Sequence, residues 1–449
     1  MLLPGLLALG AGSCGSWKRV GEPEPTTTPV ERLPQLFDPS LTYRAMGLLT
    51  DPGPLGFIAN VRVLAGPRPD TMLVIVALSL RNHGFAFRRQ GDQFVAEYHA
   101  DITIRTGAGA VAAQVAKDER VQVASFRETQ RSDESVIFQQ FLPVLPGEYG
   151  LQINVRDRNS ANTGHVETPL TVNPMRASSM SLPIAVYRAR PRRTLDSAPD
   201  LVMNPRQMVQ YGTDSMFFYV ESYNLPVGTR LIVAAVDGAG QRAWTDTLRT
   251  DSASAMGGRL IAIPPQPLTI GRYDLHLEQG DNVMASTPFL VAFSEVYAVA
   301  NLEDIVSLLR YFAPIDSLRA LLRAPGPERG AAWQRFWKST DPNPATAENE
   351  AIDDYLRRVQ AANERFRDEG MPGWLTERGE VFITLGDPSE VLDRRPDLTG
   401  TRGGRFIVWT YVDYRLTLNF IDDTGFGHYR LDPRSRSEFR RVATRVRGW

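Results

Sequence analysis

Three consecutive polar residues, Thr376, Glu377 and Arg378, sit between the pair Gly373-Trp374 and Gly379. A carboxylate beside a guanidinium could do acid–base work and grip an anion with a planar fork. Asp341 and Asp387 add carboxylates, and Asn349, Arg358 and Asn363 add amide and guanidinium groups. On a helix, Asn349 and Asn363 share a face but stand about 21 Å apart, and Arg358 need not face the same way. The candidate cluster is therefore Asp341, Asn349, Arg358, Asn363, Trp374, Thr376, Glu377 and Arg378, with no catalytic residue assigned within it. A structural reading competes: Trp374 fills a helix–sheet interface, and Thr376, Glu377 and Arg378 cap and pair the ends of buried elements. The surrounding Gly, Pro and capping residues are what a tight connection needs, and they favour that reading.

Other chemistries find less support. His83, His99, His165, His276 and His428 are scattered without metal-ligand spacing. The single cysteine, Cys14, excludes an intramolecular disulfide. No phosphate loop, dinucleotide fingerprint, serine elbow or zinc-protease motif occurs. No metal and no cofactor is expected. A net charge of −1 gives no global field to recruit nucleic acid.

The elements that must position the cluster follow from periodicity. With 449 residues, 43% hydrophobic and 22% charged, the chain is a folded protein of several domains. Between about Phe57 and Val172 the runs are strand-like: 72–78, 98–104, 136–142 and 149–155, separated by turn residues. The pattern recurs at 216–221, 230–237 and 259–264. Leu145–Val155 (LPGEYGLQINV) aligns with Thr269–Gln279 (TIGRYDLHLEQ), which places Tyr149 and Tyr273 where a hydroxyl can anchor the corner of a sandwich. The internal repeat predicts two tandem antiparallel β-sandwiches of immunoglobulin or fibronectin type, 51–176 and 177–294.

After about Ser294 the period becomes helical, through Leu302, Ile305, Leu308 and Leu309, then Trp333, Phe336 and Trp337. Ile352, Tyr355, Leu356, Val359, Ala362 and Phe366 make one apolar stripe. Strands are expected to resume with Val381, Ile383 and Leu385 on one face, then 407–411, 416–420 and about 429–431. Helices before an antiparallel meander make an α+β domain, 295–449. Its Arg-rich end, 434–447, is expected to be a solvated terminus.

Leu2–Ala11 is a short apolar run, and Ala11-Gly12-Ser13 precede Cys14. Residues 1–14 resemble a bacterial lipoprotein signal, which implies lipidation of Cys14 and attachment to a membrane. The stretch after it contains EPEPTTTPVERLP, cannot bury a core, and assigns 15–50 to an extended tether.

A further resemblance rests on ordered pieces: Phe336-Trp337, Asp341-Pro342-Asn343-Pro344, Asn349-Glu350, Tyr355, Arg358-Val359, Asn363, Phe366, Gly373 to Gly379, and Gly386-Asp387-Pro388. Together they resemble the GWxTD-domain family, with Glu377 where the family name has Asp. The family implies a bacterial envelope protein, often with β domains ahead of the module, and no established reaction. The expectation is a lipid-anchored binding or scaffolding protein on the periplasmic or outer-membrane face, with other envelope proteins as partners. The alternative is an enzyme, such as an envelope-polymer hydrolase, using Glu377 and Arg378.

Overall fold

The structure, a computed structural model, describes residues 40–448 except 69, 130–134, 176–177, 213, 251–255, 293–301, 344–348, 367–370, 395–404 and 424–426. Cys14, the signal-like segment and the proline-rich stretch to Pro39 lie outside the described residues. The fold is mostly antiparallel β-sheet, with helices concentrated after residue 300.

Nine strands precede residue 173: β1 (Leu49–Thr50), β2 (Phe57–Ala65), β3 (Met72–Arg81), β4 (Arg88–Gln90), β5 (Gln93–Thr106), β6 (Val111–Val123), β7 (Ser135–Val144), β8 (Gly147–Asp157) and β9 (Thr163–Val172). One sheet has the order β1-β2-β3-β7, the other β4-β5-β8-β9, with β6 also paired to β5. Ten strands follow: β10 (Ser179–Met180), β11 (Ile184–Arg190), β12 (Asp200–Met203), β13 (Met208–Gln210), β14 (Met216–Tyr223), β15 (Arg230–Asp237), β16 (Arg242–Arg249), β17 (Met256–Ile263), β18 (Gly271–Gln279) and β19 (Asn282–Ala292). They form a third sheet, β10-β14-β11-β12 with β17 on β14, and a fourth, β13-β19-β18-β15-β16.

The uninterrupted apolar run of β3 is explained by burial on both faces, since neighbouring residues of a strand point to opposite sides. Val74, Val76 and Leu78 share a core with Tyr98, Ile102, Leu151 and Ile153 of the second sheet. Ile75 and Ala77 instead pack with Ile184, Val186, Met203 and Tyr219 of the third. At the same junction the buried Arg192 grips Glu221 through two nitrogens, at 2.6 and 2.8 Å. Tyr219 and Tyr223 each donate to that carboxylate at 2.6 Å, and Arg192 donates to Ala65 O at 2.6 Å. Every charge taken from water there keeps partners. The two aligned tyrosines behave alike. Tyr149 Oη donates to Leu145 O at 2.9 Å, and Tyr273 Oη accepts from Thr269 N at 2.9 Å, each reaching four residues back.

Residues 40–50, assigned by composition to the tether, instead form helix α1 (Ser40–Ala45) and β1. Tyr43, Met46 and Leu48 are buried with Met208 and Leu290, so this short apolar set has a docking site that composition does not reveal.

Six helices complete the described chain: α2 (Leu302–Leu308), α3 (Ile315–Arg323), α4 (Gly326–Thr340), α5 (Glu350–Arg365), α6 (Glu377–Leu385) and α7 (Pro433–Arg447). A last group of strands, β20 (Glu390–Arg394), β21 (Arg405–Tyr411), β22 (Leu416–Asp422) and β23 (Arg430–Leu431), forms a fifth sheet, paired in sequence order as a meander. Ile407, Trp409 and Tyr411, and Leu416, Leu418 and Phe420, all face its buried side. One continuous apolar cluster runs from Phe218, Leu275 and Phe289 through Trp333, Tyr355 and Trp374 to Phe420 and Phe439. The helical part is thereby packed onto the third and fourth sheets.

Two further expectations need correction. Residues 381–385 are not a strand but the body of α6. Thr376 Oγ1 accepts from Gly379 N at 2.9 Å, which caps a helix, and Gly386 at φ +83° ends it. Val381, Phe382, Ile383 and Leu385 are all buried, so packing on every side overrides the strand preference of β-branched Val381 and Ile383. Likewise 434–447 is not a solvated tail. Asp432 caps α7, Pro433 opens it, and Phe439, Val442 and Ala443 are buried at helical spacing.

Candidate functional site

The site is best built from the end of α5. Asn363 lies in its last turn, and its Oδ1 accepts from Gly373 N at 3.1 Å. The chain then turns back through Gly373-Trp374-Leu375 and enters α6. Gly373 touches the helix it follows: a Cβ there would lie 2.2 Å from Ala362 O. Thr376 Oγ1 donates to Gly373 O at 2.7 Å while capping α6. Gly379 is pressed onto the same turn, where a Cβ would stand 2.0 Å from Gly373 O. Both glycines and the threonine are therefore required by one backbone crossing.

The intervening residues tie this crossing to the rest of the module. Trp374 is 3% exposed, edge-on to Tyr311 at 6.4 Å, with the Arg310 guanidinium 5.0 Å from its ring. Arg378 is 7% exposed and held between two aromatic faces, 5.0 Å from Phe366 and 4.4 Å from Tyr429. A delocalised guanidinium suits that slot better than an ammonium would. Glu377 reaches the C-terminal helix: Oε2 accepts from Leu431 N and Oε1 from Arg436 Nη2 at 2.7 Å. Its side chain is one-third exposed. Nearby, Arg447 Nη2 donates to Glu380 at 3.0 Å and to Thr384 Oγ1 at 2.6 Å. Burial, with Glu380 adding to it, pushes the Tyr311 phenol up to about 12.

The remaining candidates lie elsewhere. Asn349, fully buried, caps the opposite end of α5: Oδ1 accepts from Ile352 N at 3.0 Å, and Nδ2 donates to Trp337 O at 2.8 Å and Thr340 Oγ1 at 2.9 Å. Asp341, just past α4, accepts from Asn343 N at 2.8 Å. Arg358 pairs with Asp354 at 2.9 Å and approaches Ile383 O at 3.5 Å. Asp387 pairs with Arg365. Asn363, Trp374, Thr376, Glu377 and Arg378 thus meet at one joint, whereas Asp341 and Asn349 stand a helix-length away.

Asn363, Thr376, Glu377 and Arg378 are engaged inside the protein, and the Trp374 ring is buried against Tyr311 and Arg310, although among the described residues its Nε1 has no hydrogen-bond partner. The 730 Å³ cleft of the second β unit, lined by Val220, Leu231, Leu248 and Met256 among others, includes none of them. Sequence reasoning missed Tyr429, Leu431 and Arg436, which complete the joint. The helical spacing of Phe439, Val442 and Ala443 behind Asp432-Pro433 is a signal for α7 itself, but none in the sequence places Tyr429, Leu431 and Arg436 at the joint.

Residues 274–419 match the model of the GWxTD domain. The chain carries a GWxTD domain. The matched span begins within β18 and ends within β22, so it takes in most of the last hairpin of the fourth sheet, α2 to α6 and the turn at Gly373, and stops short of Tyr429, Leu431 and α7. No curated protein matches the chain. Among solved structures, the BSP domain of a biofilm associated protein is similar at 8% identity, covering 57% of this chain and 55% of that one, with a TM-score of 0.17. A Bifidobacterium dentium beta-glucuronidase complexed with coumarin-3-O-glucuronide is similar at 10% identity over 54% and 47%, with a TM-score of 0.18. The calcium binding domain CBD12 of CALX1.1 is similar at 9% identity over 57% and 87%, with a TM-score of 0.13. The chain spans about half the length of the first two. At such TM-scores these likenesses carry no argument about fold or function.

Proposed function

We propose that this GWxTD-domain protein is a non-enzymatic binding or scaffolding lipoprotein of the bacterial cell envelope. It would be anchored by a lipid on Cys14 and face other envelope proteins. In this reading the β units are two tandem immunoglobulin- or fibronectin-like sandwiches, and their edges and loops are the contact surface. The matched tyrosine anchors, Tyr149 and Tyr273, support that assignment. The observation that carries the reading is the joint itself. Glu377 and Arg378, on which an envelope-polymer hydrolase would depend, are committed to Leu431, Arg436, Phe366 and Tyr429. The apolar run before Cys14 and the proline-rich stretch after it support the anchor.

The anchor is tested by expression in a lipoprotein-processing bacterium followed by detergent-phase partition. Wild type is expected in the detergent phase and Cys14→Ser in the aqueous phase. Equal partition of the two contradicts the anchor. Cross-linking in the native envelope tests the scaffold, and failure to capture any reproducible neighbour counts against it.

A further inference from the structure

β6 stands at the edge of the second sheet and, among the described residues, pairs only with β5. It is 13 residues long and largely exposed. A strand of that length offers an open row of backbone donors and acceptors, which proteins normally blunt with charge. The charges here have an order. Residues 114–122 read Gln-Val-Ala-Lys-Asp-Glu-Arg-Val-Gln. Folded back about Asp118, Gln meets Gln, Val meets Val, and Lys117 meets Glu119. Only Ala116 and Arg120 are unlike, and that pair is uncharged on one side.

The ladder fixes which backbone groups face the opening. Arg158 N donates to Glu97 O at 2.8 Å, so Glu97 and alternate residues after it bond to β8. The residues between them, Tyr98, Ala100 and Ile102, bond to Glu119, Lys117 and Val115 of β6. The N–H and C=O groups of Gln114, Ala116, Asp118, Arg120 and Gln122 are left facing the open edge.

We propose that a second copy of this chain pairs antiparallel along β6, through a twofold axis at Asp118, so that the second sheet continues across a dimer. On the inner face this register sets Val115 against Val121 of the second copy and Lys117 against its Glu119, each pair occurring twice. An unrelated strand would leave Lys117 and Glu119 unmatched, so the same charges that repel other edges select this one. Like charges meet only at the axis. There each Asp118 is already bound within its own chain by Arg158 at 2.6 Å and His99 at 2.9 Å. Those hydrogen bonds, Arg158 first, hold its carboxyl below the usual range. The dimer does not depend on the lipid anchor.

Sedimentation of the full chain over a wide concentration range tests it. Wild type is expected to associate reversibly. Lys117→Glu and Glu119→Lys are each expected to weaken self-association at least about tenfold, because like charges then face each other twice. Mixed together, the two variants are expected to recover wild-type association, since the mixed pair restores every contact of opposite charge. Hydrogen exchange gives a readout without substitution: the amides of Gln114, Ala116, Asp118, Arg120 and Gln122 should slow as concentration rises. A wild type that stays monomeric, a Lys117→Glu variant that associates unimpaired, a mixture that does not recover, or edge amides indifferent to concentration each overturns the proposal.

Discussion

Gly379→Ala sets two physical effects against each other. The residue lies in the first turn of α6, and replacing a helical glycine with alanine ordinarily gains up to about 1 kcal/mol. Here the added Cβ would stand 2.0 Å from Gly373 O, 2.9 Å from Gly373 C and 3.0 Å from Trp374 Cα. All three atoms belong to the backbone, so no side chain can swing aside, and α6 must move off the turn that carries Trp374. Overpacking of this kind costs about 3 kcal/mol at the upper end of its usual range. The net expectation is a loss of about 2 kcal/mol, or about 4–8 °C in the melting temperature of a unit of this size. Fluorescence-detected unfolding suits the assay, because Trp333, Trp337, Trp374 and Trp409 all lie in the affected part. Gly238→Ala is the control: a Cβ there meets nothing within 4 Å, and stability should stay within about 0.5 kcal/mol of wild type. A Gly379→Ala protein as stable as wild type, or more so, refutes the close-packed joint.

Asn349→Ala should cost about 2–4 kcal/mol, since it removes a helix cap and two buried hydrogen bonds to the end of α4. Asn349→Asp, which keeps the cap but sets a buried carboxylate oxygen against Trp337 O, should cost at least as much near neutral pH, as read by urea titration. Asp432 should contribute to acid sensitivity. Burial pushes its carboxyl up, but donors from Ser435, Arg434 and Asn419 more than offset this and hold it below the ordinary value. A pKa lowered on folding means a contribution present above the unfolded value of about 4 and lost as pH falls through the folded one. Asp432→Asn should therefore flatten the acid limb of stability against pH while leaving its shape above neutrality unchanged.

What the sequence made legible follows where one signal dominates. Alternation located the strands at 98–104 and 149–155, and the helical stripe from Ile352 to Phe366 located α5, because burial on one face leaves a clear period. The run 381–385 misled because it is buried on all sides, and a short apolar run of that kind has no period to distinguish helix from strand. Residues 434–447 misled because arginines outnumber the three apolar residues that dock the helix. Within the candidate cluster, the capping role of Thr376 and the plug at Trp374 were readable from local composition. The partners of Glu377 and Arg378 were not, since Tyr429, Leu431 and Arg436 lie about fifty residues onward and only the meander brings them back. The glycines of the motif show the same limit. Their necessity comes from two backbones touching, which no spacing displays.

The central claim, that the polar residues around Gly373 form a joint and not a reacting centre, meets its most direct test in a double-mutant cycle between Glu377 and Arg436. Unfolding free energies of Glu377→Gln, Arg436→Gln and the double variant isolate the interaction across the joint. Both side chains are about a third exposed, so solvent screening limits the expected coupling to about 0.5–1 kcal/mol. Glu377→Gln should also be the more destabilising single change, because Leu431 N loses a charged acceptor. Two single variants as stable as wild type, with no coupling between them, would contradict the account and leave the Glu377 carboxylate available for chemistry.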